Sequence, residues 1–111
     1  MAEATAGPAR GGHPAAEEIL ARDPLRNIVL LKHLEAYPGH ARLHHLRDGG
    51  RHGFLVLLDA SVTSWDRRAY PAARHVVLVS SDGPDLTRAL LAHVPRGAPL
   101  VFKLPGAGRC A

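Results

Sequence analysis

Apolar residues change their spacing several times along this chain, and each change predicts an element. Pro14 opens a short helix over residues 14–22, with Glu17 and Glu18 in its early turns, where negative charge suits the helix dipole. Asp23-Pro24 then supplies an N-cap and first position for a second helix, which ends near Tyr37 ahead of Pro38-Gly39. Leu25, Ile28, Val29, Leu30, Leu31, Leu34 and Tyr37 nearly encircle that helix, where a surface helix would show one stripe. The pattern predicts a helix sandwiched between a sheet and something else, with Leu30, Leu31 and Leu34 as candidate interface residues.

Residues 41–47 and 52–59 read as strands around Asp48-Gly49-Gly50-Arg51, a hairpin signal because glycine tolerates positive φ at both turn positions. Pairing Asp48 with Arg51 sets Leu43 opposite Val56 and His45 opposite Phe54. Residues 60–74 form an irregular connection. The continuous apolar run 75–80 predicts a central strand covered on both faces. A turn at Ser81-Asp82-Gly83-Pro84 leads into a helix over 84–94, with Leu86, Leu90, Leu91 and Val94 as its stripe, and a last strand follows at 100–104. The order α-α-β-β-β-α-β predicts an α+β domain over 14–104, a mixed and mainly antiparallel sheet of about four strands with three helices.

Outside these elements, residues 1–13 hold no large apolar residue after Met1 and predict a flexible tail, and residues 105–111 a frayed one. The 111 residues suit one domain, and 46% hydrophobic with 22% charged residues is a globular balance. One cysteine, Cys110, excludes an internal disulfide framework and a cysteine-based zinc site. No run approaches the roughly 18 apolar residues of a membrane span. The roughly 7–15-residue apolar core of a secretory signal is also missing, which points to the cytoplasm. The net charge of +4 attracts anions mildly. Of the 14 basic residues, however, 12 are arginine, and they accompany 18 alanines, a pattern that high-GC coding bias also produces.

The segment Asp23-Pro24-Leu25-Arg26-Asn27-Ile28-Val29-Leu30-Leu31-Lys32-His33-Leu34-Glu35 resembles the second helix of certain GNAT-superfamily N-acetyltransferases, which often begin Asp-Pro-x-x-Asn and run through leucines to Leu-Glu. The two strands after it, the stretch from Trp65 to Pro71 and the strand 75–80 are similar to the amino-terminal half of the glycine-N-acyltransferase-like branch. The order of elements matches such a core as far as its fifth strand. The resemblance covers about residues 14–104 and implies acyl transfer from acetyl-CoA to an amine. Enzymes of this kind bind acetyl-CoA through an Arg/Gln-x-x-Gly-x-Gly/Ala loop that opens a helix, where free N–H groups hold the pyrophosphate. The matching loop here, Ser80-Ser81-Asp82-Gly83-Pro84-Asp85, has one glycine, a proline without an N–H and two aspartates that repel phosphate. In that branch a carboxy-terminal half commonly supplies the motif. The resemblance therefore implies an amino-terminal domain or half-protein, catalytically incomplete alone and without assigned catalytic or CoA-binding residues. Its partner would be a second domain or a homodimer mate. The alternatives are a non-catalytic interaction or dimerisation domain, or a basic nucleic-acid-binding module. Scattered basic residues, 5% aromatics and the lack of an RRM-type or KH-type signature speak against the last.

Among candidate groups, Trp65, Arg67, Arg68 and Tyr70, with Asp66 among them, form the loop best suited to grip an anionic ligand or partner, combining stacking with charge. The plainer expectation is that Trp65 and Tyr70 pin the connection to the sheet while the arginines stay in water. His45 and His52 fall on one hairpin face, but no further ligand is forced beside them, so the expectation is a solvated hairpin tip and no metal. His33, Glu35 or Asp59 could act as a general base if a cleft formed beside it. No nucleophile-elbow pattern surrounds Ser61, Ser64, Ser80 or Ser81. Asp23 and Asp82 read as helix caps.

Overall fold

The structure is a computed structural model that describes residues 3–8 and 14–103, with side chains described over 16–63 and 66–103. Its strands are β1 (Glu3–Pro8), β2 (Arg42–Asp48), β3 (Arg51–Asp59), β4 (His75–Ser81) and β5 (Leu100–Lys103). Its helices are α1 (Pro14–Ala21), α2 (Pro24–Ala36), α3 (Ser64–Ala69) and α4 (Pro84–Leu91), with a 3₁₀ turn at Ala60–Val62. The α+β class and the mixed sheet are as the sequence predicts. Among the described residues the sheet has five strands in the order β1-β2-β3-β4-β5, every pair antiparallel except β4–β5. Among the described residues no helix is long and apolar enough to cross a membrane.

Within the flexible tail expected over 1–13, residues 3–8 form a strand, and residues 1–2 and 9–13 lie outside the described residues. Glu3–Pro8 pairs with β2, Thr5 opposite His45 and Gly7 opposite Leu43. A strand added to a sheet edge is held by main-chain hydrogen bonds, so it does not require the large apolar side chains whose absence suggested a tail. The connection over 60–74 contains the 3₁₀ turn and the two-turn-or-shorter helix α3, too brief to leave a periodic signal. The predicted fraying of 105–111, and Leu104 of the last strand, lie outside the described residues.

The hairpin has the predicted register: Asp48 faces Arg51, Leu43 faces Val56 and His45 faces Phe54. Only Gly49 of the two turn glycines takes positive φ, at +64°. Alternation along the strands builds two layers. Leu43, Phe54, Val56, Leu58, Val76 and Leu78 pack against Leu20 of α1 and Leu30 and Leu34 of α2. Leu55, Val77 and Val79 face the other way, onto Leu90 of α4 and Val94 beyond it. β4 is thus buried on both faces, as its unbroken apolar run predicts. Gly53 lets α4 close onto β3, since a Cβ there would stand 2.9 Å from Leu90 Cδ1 and 3.2 Å from Leu86 Cβ.

Helix α2 departs from the sandwiched helix expected. Asp23 caps it by accepting from the Arg26 N–H at 3.3 Å. Leu30 and Leu34 are 1% exposed in the chain's own core and Leu31 packs against that core, so the proposed interface trio is internal. Leu25, Ile28 and Val29 remain exposed. The polar Asn27 is buried instead, donating to the Leu20 carbonyl at 3.0 Å and accepting from Ser80 Oγ at 2.5 Å. It ties α1, α2 and β4 together.

Candidate functional site

The turn from β4 to α4, where the resemblance places a phosphate cradle, is occupied by the chain's own charges. Asp82 Oδ2 accepts from the His52 N–H at 2.7 Å and Asp82 Oδ1 from Arg26 Nη1 at 3.1 Å. Arg26 also donates to the Ser81 carbonyl. The His52 amide, and after it the Arg26 guanidinium, hold the Asp82 carboxyl below its ordinary range. Asp82 is therefore a clamp between β3, β4 and α2 rather than a helix cap; the cap position of α4 is Gly83, with no side-chain hydrogen bond. Asp85, in the first turn of α4, receives Arg51 Nη1 at 3.0 Å and Nη2 at 2.8 Å, and Arg51 Nη2 also reaches Asp48 Oδ2 at 2.8 Å. That pairing pins the hairpin tip to α4 and lowers the Asp85 carboxyl too.

Beside this turn, His45 and His52 are not a freely solvated tip. His45 Nε2 lies 3.0 Å from His52 Nδ1, and the His45 ring stacks on Phe54 with centroids 4.5 Å apart. Both imidazoles are half-buried on the α1–α2 side of the sheet. Among the described residues no group of three or more His, Cys, Asp or Glu could hold a metal ion.

A second constellation lies where α2, α3 and the edge strand β5 meet, around a cleft of about 260 Å³. Lys32, His33 and Ala36 of α2, with Tyr37 at its C-cap, form one wall; Thr63, Asp66 and Lys103 form the other. Lys103 Nζ donates to Asp66 Oδ2 at 2.9 Å and approaches His33 Nε2 at 3.1 Å. Asp66 is 1% exposed, and among the described residues its Oδ1 has no hydrogen-bond partner. The tautomer of His33 follows from its neighbours. Nδ1 sits 2.8 Å from the Val29 carbonyl, which can only accept, so Nδ1 carries the proton. Nε2 is then the lone pair that accepts from the Lys103 ammonium.

Burial, reinforced by the Lys103 charge, pushes the His33 imidazole below its ordinary value, against the Val29 carbonyl and Asp66, which raise it. The unfolded chain therefore takes up this proton first as pH falls. His33 contributes stability that is complete above its ordinary 6.5 and is lost as pH drops toward the folded value. We expect urea midpoints to fall between about pH 7 and 5, and His33→Asn, which keeps a donor toward Val29, to flatten that slope. An unchanged slope would remove His33 from the linkage.

Of the residues that the sequence singles out, His33 does gain a cleft, whereas Glu35 and Asp59 are exposed, and Asp59 is engaged by the Ser61 N–H at 2.8 Å. Arg67 and Arg68 are exposed on α3 and do not line the cleft; Tyr70 is 49% exposed, and the Trp65 side chain lies outside the described residues. The member of that segment brought into the site is Asp66. Lys103 carried no local signal, because its partner is 37 residues away in the chain. Compared with family models, with curated proteins and with solved structures, the chain matches none.

Proposed function

We propose that the chain is a GNAT-like domain that serves acyl transfer as a partner unit and does not hold acetyl-CoA alone. The observation that carries this reading is the occupied β4–α4 turn. A pyrophosphate there would meet Asp82 and Asp85, both held ionised by their partners. Pro84 offers no N–H, and the Gly83 N–H already lies 3.4 Å from Ser81 Oγ. Kinship with the acetyltransferase class is supported by the order of elements: two helices, an antiparallel hairpin, then a parallel β4–α4–β5 crossover. Transfer from acetyl-CoA to an amine then needs a second domain or a second copy to supply the glycine-rich loop. Leu25, Ile28 and Val29, exposed together on α2, are an apolar surface for such a contact. Nucleic-acid binding is the weaker alternative, since Arg26, Arg51 and Lys103 direct their charge at Asp82, Asp85, Asp48 and Asp66.

Isothermal titration tests the proposal. The chain alone should give no binding heat with acetyl-CoA up to about 100 μM, corresponding to less than about 5.5 kcal/mol of affinity. Saturable heat at micromolar ligand would overturn it and make the chain a complete cofactor-binding unit.

A further inference from the structure

We propose that the outer face of α2 is a self-association surface, on which two copies of this chain pair their α2 helices antiparallel about a two-fold axis between Ile28 and Val29. The proposal does not rest on the acyl-transfer reading, and its test contains no acetyl-CoA.

The face is apolar where a solitary helix would be polar. Leu25, Ile28, Val29, Lys32, Glu35 and Ala36 are all exposed, and their spacing puts them on one side of the helix. Leu25 keeps 86% of its surface in water, Ile28 46% and Val29 42%. Leu30 and Leu34 occupy the other side, in the core, so no rotation of α2 hides both sets. Aliphatic side chains exposed together mark a contact surface.

The charges at the two ends of this face select a second copy as its occupant. In a pair related by a two-fold axis, residues equidistant from the axis lie level and every contact occurs twice. An axis between Ile28 and Val29 sets Ile28 of one copy against Val29 of the other. It sets Leu25 under the aliphatic stem of Lys32. Arg22, just ahead of the N-cap Asp23, then meets Glu35 in the last turn of the second copy's helix. Both are exposed, and among the described residues neither has an ion-pair partner within the chain. Sliding the copies until Arg22 faces Lys32 brings like charges together. Sliding them the other way puts Leu25 against the Glu35 carboxylate. The central register alone joins an apolar middle to opposite charges at both ends, and it sets the two helix dipoles antiparallel.

Three aliphatic side chains from each copy make a contact well under the roughly 1,200–2,000 Å² of a standard interface, so the dimer is weak. Its Kd should be on the order of 100 μM. At about 1 μM the chain is then monomeric, and urea unfolding reads the single fold. Only a dimer populated at that concentration would make a change at Leu25 as costly as one in the core.

Sedimentation equilibrium of the full chain between about 10 μM and 1 mM tests this, and the weight-average mass should climb from one chain toward two. Leu25→Lys, an exposed change that sets an ammonium level with Lys32 of the second copy, should weaken association at least about tenfold. Arg22→Glu and Glu35→Arg should each weaken it about three- to tenfold. Combined in one chain, the two changes remake both pairs with their signs exchanged, and association should return to within about a factor of two of the parent. A chain that stays single throughout would overturn the proposal and leave the face to a different protein. So would association unaltered in Leu25→Lys, or a double variant no stronger than the single ones, since either puts the contact elsewhere.

Discussion

Leu34→Ala should cost the fold about 2–5 kcal/mol, while Leu25→Ala should change it by no more than about 0.5 kcal/mol. Both residues are leucines of α2, nine positions apart, and both belong to the apolar girdle that makes this helix look enclosed. Leu34 is 1% exposed and packs with Leu30, Leu20 and the sheet; Leu25 is 86% exposed. Removing the Leu34 side chain loses its transfer free energy and leaves a cavity under β3 and β4, which cannot collapse because both strands are paired on each side. For a domain whose total stability is about 5–15 kcal/mol, that loss is a large fraction of the whole. Urea unfolding should show it as a lower midpoint at an unchanged slope. A Leu25→Ala loss comparable to that of Leu34→Ala would place the outer face of α2 in a contact with another copy of the chain.

The two leucines also mark how far the sequence could be followed. Period and turn chemistry carry the hairpin completely: Asp48-Gly49-Gly50-Arg51 fixes the loop, the loop fixes the register, and Leu43 meets Val56 as a consequence. The unbroken apolar run of β4 likewise reports burial on both faces, because two layers of helix must cover it. In α2 the same logic fails. Apolar residues at Leu25, Ile28 and Val29 do not have to be buried, and Asn27, polar by type, is buried because Leu20 and Ser80 answer its hydrogen bonds. Which side of an all-round apolar helix faces inward depends on those distant partners. β1 and α3 were illegible for a related reason: one is held by backbone pairing to β2, the other has too few turns to show a period. The candidate site needed three separate elements. His33 and Asp66 were visible as residues with chemistry, and only the parallel return of β5 places Lys103 between them.

That convergence makes Lys103→Met the other large loss, about 3 kcal/mol, because it strands Asp66 as a buried charge. The pair is asymmetric: the Lys103 side chain keeps 24% of its surface exposed, and that of Asp66 only 2%. Asp66→Asn should therefore be milder, about 1 kcal/mol, since the ammonium left behind can turn toward solvent along its flexible stem. Methionine retains much of the lysine's apolar length, so the difference between the two variants isolates charge rather than packing. In the double variant the stranded charge is gone, and the loss should fall below that of Lys103→Met by about 1 kcal/mol or more. Equal losses for Lys103→Met and Asp66→Asn, with simple addition in the double variant, would mean that water reaches Asp66 and screens it. The predicted ordering, with the lysine variant worst and the second change restoring stability, follows only if the carboxylate is as enclosed as its 1% exposure indicates. The same enclosure leaves Asp66 Oδ1 without a donor among the described residues: the carboxylate is held out of water, with Lys103 answering only one of its oxygens.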